Sequence, residues 1–246
     1  MADVKIKVLH MYMDLLDLYG DSGNMEILKY RCGKRNIKFI ADSYSIGYPS
    51  VDFSQYDLIY FGGGADFEQQ VLADDLAKQA DNIKKAYNGG TFMLLICGGY
   101  QLMGQYYKDS NGKTIDGLKL FGYHTEASTD KSKRCIGNIV LEAELDGEKT
   151  KVIGFENHGG TTQNVKTPFG KVLFGNGNVF GGGHEGYFEE RVIATYLHGP
   201  LLSKNPVVAD YIIKKCLERQ GYDGRLERLD DELETQCREV MLGRLL

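Results

Sequence analysis

Apolar positions along this chain recur with two spacings, and the changes between them mark its elements. Val4 to Met11 predicts a first strand. Gly20-Asp21-Ser22-Gly23 then makes a turn in which Asp21 or Ser22 can cap a helix that runs to about Arg35. Ile37 to Tyr44 predicts a second strand, and Asp57 to Phe61 a third that stops at Gly62-Gly63-Gly64. Leu72, Leu76, Ala80, Ile83 and Tyr87 fall three or four apart and predict one helix, ended by Gly89-Gly90 before a fourth strand, Thr91 to Ile96. Short, continuously apolar strands separated by amphipathic helices give an α/β fold whose mostly parallel sheet is flanked by helices on both faces.

From Lys108 to Phe180 the pattern shifts to shorter alternating strands, such as Gly137 to Leu145 and Lys151 to Phe155, with turns at Asp146-Gly147 and Asn176-Gly177. This is an antiparallel extension of the sheet. Val192 to Leu197 is again a buried type of strand, and a helix follows from Pro206 to Glu218. Leu229, Leu233, Cys237 and Met241 lie four apart and give a C-terminal helix, about 226 to 246, one apolar stripe. No linker cuts the chain, so residues 1–246 read as one domain with a core from about 4 to 218.

Composition narrows the class. With 42% hydrophobic and 26% charged residues the chain reads as globular. Its longest apolar run, Phe92 to Cys97, is far too short to cross a bilayer. A net charge of −5 supplies no basic field for a nucleic-acid backbone. Five cysteines without any CxxC pair indicate neither a disulfide framework nor a structural zinc site, and Met1 to Val8 lacks the apolar stretch of a signal peptide. A reducing, cytoplasmic location is the expectation.

Glycine is the outlier, at 31 of 246 residues against a usual share of about 7%. Twelve of them crowd into Gly62 to Gly64, Gly89-Gly90, Gly98-Gly99, Gly159-Gly160 and Gly181 to Gly183. The sharpest context is Leu94-Leu95-Ile96-Cys97-Gly98-Gly99-Tyr100-Gln101, a buried strand that runs through a cysteine into two glycines and a helix. Such a nucleophile elbow strains the backbone, needs small neighbours, and aims the sulfur at helical N–H groups that favour a thiolate. The plainer reading is an inert buried cysteine in a tight turn.

A thiolate needs a base. Among His10, His124, His158, His184 and His198, the last follows a buried strand and precedes Gly199-Pro200, which sets it at a carboxyl-terminal strand end where open sheets build their sites. His158, in Glu156-Asn157-His158-Gly159-Gly160, is the rival, and His184 a weaker third. The Gly62 to Gly64 loop belongs to the same sheet edge and can turn a backbone N–H toward an oxyanion, with the Gly98 N–H as a second donor. On its own it is as readily a simple tight turn.

Cys97-Gly98-Gly99-Tyr100-Gln101, Phe61-Gly62-Gly63-Gly64-Ala65-Asp66, Phe155-Glu156-Asn157-His158-Gly159-Gly160 and Thr195-Tyr196-Leu197-His198-Gly199-Pro200 occur in an order that resembles class I glutamine amidotransferases of the cobyric acid synthase-like group. Within that group the chain is most similar to the glutaminase subunits of lipid II isoglutaminyl synthases. The resemblance spans about Val4 to Glu218 and implies a flavodoxin-like sheet and a Cys-His glutaminase that hydrolyses L-glutamine to glutamate and ammonia. It implies Cys97 as nucleophile, His198 as general acid and base, and Gly64 and Gly98 as oxyanion donors. Arg134 matches the arginine that grips substrate glutamine, a fit for bidentate carboxylate binding, although a solvated arginine opening a strand is the plainer reading. Gln101 either contacts substrate or braces the loop. The implied partner is a Mur-ligase-like synthetase subunit in a heterodimer; ATP and Mg are expected there, with no cofactor in this chain, and the partner handles lipid II to amidate its D-glutamate.

The chain departs from the wider class at Pro200, where many members carry a glutamate two residues after the catalytic histidine. No in-chain third member is therefore visible, and an acidic residue from the partner is the expected substitute. Leu95 stands where a small residue is common, and Thr161-Thr162 where relatives often carry arginine. Asn111-Gly112-Lys113-Thr114 imitates a P-loop, yet Tyr107 occupies the place of its first glycine; Phe67 likewise breaks a dinucleotide fingerprint after Gly62. These features predict weak glutamine hydrolysis by the chain alone and docking of the synthetase on the C-terminal helix or the Tyr100 to Lys108 surface. Amidation of a corrinoid, a stand-alone cysteine hydrolase and a non-catalytic scaffold are the competing readings.

Overall fold

A computed structural model describes residues 4–246; Met1 to Asp3, the start of the segment read above for a leader, lie outside the described residues. Six strands form the central sheet in the order Tyr187–Glu189, Val192–Thr195, Phe92–Ile96, Leu58–Phe61, Lys5–Met11, Lys38–Tyr44. All neighbours run parallel except the first pair. Burial explains the order: Val192–Thr195, Phe92–Ile96 and Leu58–Phe61 are buried at every position and take the centre, whereas Lys38–Tyr44, polar along most of its length, takes an edge. Helices Gly23–Gly33 and Pro206–Arg219 pack together, and the latter lies against Lys5–Met11 and Phe92–Ile96.

Two further sheets carry the antiparallel extension. One orders Gly160–Gln163, His124–Ala127, Tyr106–Lys108 and Thr114–Asp116; the other is built on the long hairpin Cys135–Leu145 and Glu148–His158. The expected helix over Leu72 to Tyr87 is two, Asp66–Lys78 and Ala80–Asn88, because Gln79 leaves helical geometry at φ −90° and ψ 2°. Only the end of Tyr100 to Lys108 offers a surface: Tyr100 through Gly104 are buried, since the five-residue helix Gly98–Leu102 is part of the core, while Gln105 and Tyr106 are half-buried and Lys108 is exposed.

The C-terminal helix, Glu232–Leu245, also differs from the expectation, because its apolar stripe covers nothing and Leu233 is 71% exposed. Polar ties hold the tail instead. Arg31 donates to Asp210 and Asp231, Arg35 to Asp210 and the Glu227 carbonyl, and Arg238 to the carbonyls of Lys204 and Lys151. Both Arg31 and Arg35 are nearly buried, and paired guanidinium–carboxylate contacts of this kind fix geometry as well as contributing energy. Among the described residues no helix is long and apolar enough to cross a membrane.

Candidate active site

Four loops leave the sheet at the carboxyl ends of adjacent strands, and parallel register brings them to one level. Met11 pairs with Phe61, Phe61 with Leu95 and Leu95 with Ala194. The loops beyond those strand ends therefore meet: Gly62 to Gly64 and Cys97 directly follow their strands, His198 comes three residues after Thr195, and Asp21 ten residues after Met11.

Cys97 sits at the turn between its strand and helix Gly98–Leu102 with φ 49° and ψ −99°, a left-handed backbone that a β-carbon makes costly. Its N–H donates to the Thr195 carbonyl at 2.8 Å and its carbonyl accepts from Gln101. The two glycines after it are required by space. A β-carbon on Gly99 would lie 2.5 Å from Phe61 Cβ, and one on Gly98 would lie 3.0 Å from the Gly64 nitrogen. That second contact brings the Gly64 N–H beside Gly98, and among the described residues no backbone carbonyl accepts from either N–H.

His198 reaches Cys97 because its strand changes partners. Val192–Thr195 ends where buried Glu185 accepts from the Thr195 hydroxyl at 2.8 Å and the Tyr196 N–H at 2.7 Å. Leu197–His198 then pairs with Phe155 and Glu156 of the neighbouring sheet. Burial pushes the Glu185 carboxyl up to about 8, against those two donors. The His198 ring is fully buried, with Nδ1 at 2.9 and 3.0 Å from the Asp21 carboxylate oxygens, so Nδ1 is the donor and Nε2 is the nitrogen left for chemistry. Burial opposes charge on this ring, but its bond to Asp21 and the Cys97 side chain nearby outweigh burial and raise it to about 10.

Asp21 corrects the expectation that no third member exists in the chain. It is fully buried and also accepts from the Gly63 N–H at 2.9 Å, so its carboxylate is held by two elements at once. It caps no helix: the residue before helix Gly23–Gly33 is Ser22, without a side-chain cap bond. Gly63 is a second residue whose role the motif hid, since a β-carbon there would meet His198 Cε1 at 2.7 Å and Asp21 Oδ2 at 2.9 Å. In the sequence Asp21 looked like a turn residue, and only its place after the first parallel strand marked it.

A cavity of about 740 Å³ opens over Cys97, lined among others by Tyr19, Gly64, Gln101, Arg134 and Asn157. That volume suits a small polar substrate. Arg134, exposed on the hairpin, donates from Nε and Nη2 to Asn157 Oδ1 at 3.1 and 2.9 Å; Asn157 in turn donates to the Tyr19 hydroxyl at 2.6 Å. The Tyr19 ring stands edge-on to His198 at 4.9 Å. Gln101 faces inward: its Oε1 accepts from Gln69 at 2.9 Å and its Nε2 donates to the Tyr196 hydroxyl at 3.3 Å, so both ends of the amide brace the wall. His158, the rival base, lies flat on Tyr196 at 3.7 Å and bonds Gly160 through Nδ1, while His184 is exposed. Gly181 to Gly183 form a turn in which Gly182 donates to Val179 and Gly183 accepts from Val172, with no side chain of the site beside them.

Comparison with known proteins agrees with this geometry. Residues 7–206 match the CobB/CobQ-like glutamine amidotransferase domain. The chain is 36% identical to the lipid II isoglutaminyl synthase (glutamine-hydrolyzing) subunit GatD of Staphylococcus aureus (strain N315), over 98% of this chain and 96% of that protein. It is 37% identical to the protein of the same name from Streptococcus pneumoniae, over 96% and 90%. A probable cobyric acid synthase of Methanocaldococcus jannaschii is 34% identical over 54% of this chain but only 28% of its own length. Among solved structures, PurLQS from Thermotoga maritima overlaps 88% of this chain and 97% of its own with a TM-score of 0.54 at 17% identity, and a glutamine amidotransferase overlaps 85% and 98% with 0.55 at 14%. Those two show the class I glutamine amidotransferase fold; with the family match, they establish that this chain belongs to the CobB/CobQ-like glutamine amidotransferases.

Proposed function

We propose that this chain is the glutaminase subunit of a lipid II-amidating complex, in which Cys97, His198 and Asp21 release ammonia from L-glutamine for a Mur-ligase-like partner. The observation that carries the reading is the buried line from the strained Cys97 through His198 to the Asp21 carboxylate. With Asp21 holding Nδ1–H, Nε2 is the ring nitrogen that exchanges a proton with Cys97. Arg134 clamps the α-carboxylate of glutamine, which places the side-chain amide over Cys97. The thiolate attacks the amide carbon, and the N–H groups of Gly64 and Gly98 take the resulting oxyanion; one such donor is worth about 2.7 to 4 kcal/mol in the transition state. As the carbon–nitrogen bond breaks, His198 gives its Nε2 proton to the departing nitrogen, leaving ammonia and a γ-glutamyl thioester. Water then attacks the thioester, His198 takes its proton, and glutamate leaves with Cys97 restored.

The ammonia acceptor in this reading is the D-glutamate α-carboxyl of lipid II, activated by ATP and Mg on the partner, in the cytoplasm. Two relatives that bear the lipid II isoglutaminyl synthase name and align over nearly their whole length support it. The longer cobyric acid synthases, matched over about a quarter of their length, support corrinoid amidation less. The exposed C-terminal helix is the candidate docking face.

The test uses the complex with a Mur-ligase-like subunit and glutamine labelled at its amide nitrogen. The wild-type complex is expected to place the label in lipid II. Cys97→Ala is expected to abolish labelling yet still amidate lipid II from added ammonium. Labelling retained in Cys97→Ala would overturn the catalytic assignment; failure of the ammonium route in every variant would overturn the partner.

A further inference from the structure

The hairpin that carries Arg134 gathers a second set of reactive groups on its hidden face. Cys135 and His158 are direct partners in the register, and Glu156 lies two residues before His158, so the pleat turns all three to one side. Their ligand atoms lie within 4.8 Å of one another, and the side chains are 2%, 3% and 0% exposed. Nothing in the glutaminase reading uses them, and the inference does not rest on that reading.

The hydrogen bonds around the cluster leave one ring nitrogen open. His158 Nδ1 lies 2.8 Å from the Gly160 carbonyl, an acceptor only, so Nδ1 carries a hydrogen and Nε2 is the nitrogen left for a ligand. That nitrogen is buried and has no hydrogen-bond partner. It faces Glu156 Oε2 at 3.8 Å, a distance beyond any hydrogen bond even for an imidazolium. Glu156 is itself held from behind. Oε1 accepts from the Asn176 N–H and side-chain amide at 2.8 and 2.9 Å, and Oε2 accepts from the Gly177 N–H at 2.9 Å, leaving Oε2 one lone pair toward His158. A cation between Nε2 and Oε2 would be held by both.

We propose that Cys135 Sγ, His158 Nε2 and Glu156 Oε2 form a binding site for a zinc-type divalent cation. One thiolate and one carboxylate neutralise the ion's two charges, and imidazole completes a donor set of the borderline-soft kind that such ions select. Separations under 4.8 Å close onto the edges of a tetrahedron with small side-chain shifts, and water takes the fourth corner. The carbonyl of Gly160 and the donors on Glu156 orient the ligands, as such outer contacts do in metal sites. Arg134 and Asn157 flank the ligands along the two strands, and His158 itself lines the cavity, which places the ion at the cavity wall.

The test is titration of the chelator-treated full chain with Zn(II), and with Co(II) as a spectroscopic probe. The expected result is one ion per chain with a thiolate-to-cobalt charge-transfer band and tetrahedral d–d absorption. Cys135→Ser and His158→Gln are expected to lose the band and weaken binding at least tenfold, and Asn176→Ala to weaken it about ten- to hundredfold. Cys97→Ala and Cys237→Ser, which remove the cavity thiol and the exposed thiol, are expected to leave the band unchanged. Circular dichroism on each variant identifies any that fail to fold, and for those the decision rests on the wild-type spectrum together with the Cys97 and Cys237 variants. Substoichiometric binding by the wild-type chain, a spectrum without the thiolate band, or a band that disappears with Cys97→Ala overturns the proposal.

Discussion

The carboxyl edge of the parallel sheet and the hairpin wall face each other across one cavity, but they are assembled by different rules. At the edge, Asp21, Gly63 and Cys97 stand on loops beyond the carboxyl ends of parallel strands, and His198 joins them through its pairing with the neighbouring sheet. On the wall, Arg134 meets Asn157, and Cys135 meets His158, only because the hairpin holds one register over eleven residue pairs. A slip of one residue would turn the whole set to the opposite face. Both are intolerant of side chains at particular glycines: a β-carbon on Gly63 would meet His198 Cε1 at 2.7 Å, and one on Gly160 in the wall would meet Gln101 Nε2 at 2.7 Å. In the proposed function chemistry belongs to the edge and substrate grip to the wall, and substitutions that separate turnover from binding test that division.

The largest effect is expected from Cys97→Ala, which removes the nucleophile and should lower glutamine hydrolysis by at least about 10⁴-fold, measured as glutamate release. Asp21→Asn comes next, with a fall in kcat of about 10⁴-fold at unchanged KM, because the imidazole loses both its orientation and its counter-charge. The same variant carries a pH signature. In the wild-type chain Asp21 and Cys97 raise His198 to about 10 against burial; without the Asp21 charge the ring titrates lower, so imidazolium is lost at lower pH. Following the His198 ring by NMR against pH checks the direction, and an unmoved titration would remove Asp21 from the site.

How much of this was legible beforehand follows the same division. Cys97 and His198 could be read because their loops need glycines, and glycine runs beside an apolar strand are conspicuous. Three strands of the central sheet were readable for the related reason that fully buried strands are apolar throughout. Asp21 was not, since its partner lies 177 residues away and its local context, a Gly-Asp-Ser-Gly turn, is explained by helix capping alone. The clamp on Arg134 was equally hidden, because an exposed arginine beside a strand carries no local mark of the asparagine across the hairpin. The C-terminal helix was misjudged for a third reason: a four-residue apolar spacing predicts a buried face, but here Arg238 and Asp231 hold the tail and leave that face open.

Gly63→Ala sharpens the edge side of the comparison. Its new methyl would lie 2.7 Å from His198 Cε1, so the ring must move by several tenths of an ångström, and a fall in kcat of about 100-fold is expected with little change in melting temperature. Arg134→Ala probes the wall. Loss of a charge-assisted pair to the substrate carboxylate should raise KM for glutamine by about 10- to 100-fold and leave kcat within about threefold. A kcat loss comparable to that of Asp21→Asn would dissolve the distinction between the two regions.

The smallest expected effect concerns two histidines of the central sheet's own loops and strands, which titrate in opposite directions for one physical reason. His198 has a carboxylate against it and is raised; His10, inside the first strand with its Nε2 buried and unpartnered, is pulled by burial down to about 4, with the Asp17 charge opposing only in part. A folded-state value below the unfolded 6.5 means that between about pH 4 and 6.5 the unfolded chain holds a proton the native chain lacks. His10 therefore subtracts stability as pH falls through that window, by at most about 1.4 kcal/mol per pH unit. His198 behaves inversely: its contribution is complete below pH 6.5 and is lost as pH rises toward 10. Urea melts of wild type, His10→Gln and His198→Gln at closely spaced pH values separate the two. His10→Gln should flatten the acid side alone and His198→Gln the alkaline side alone, and an acid slope identical in wild type and His10→Gln would mean that the buried ring is not the group that titrates.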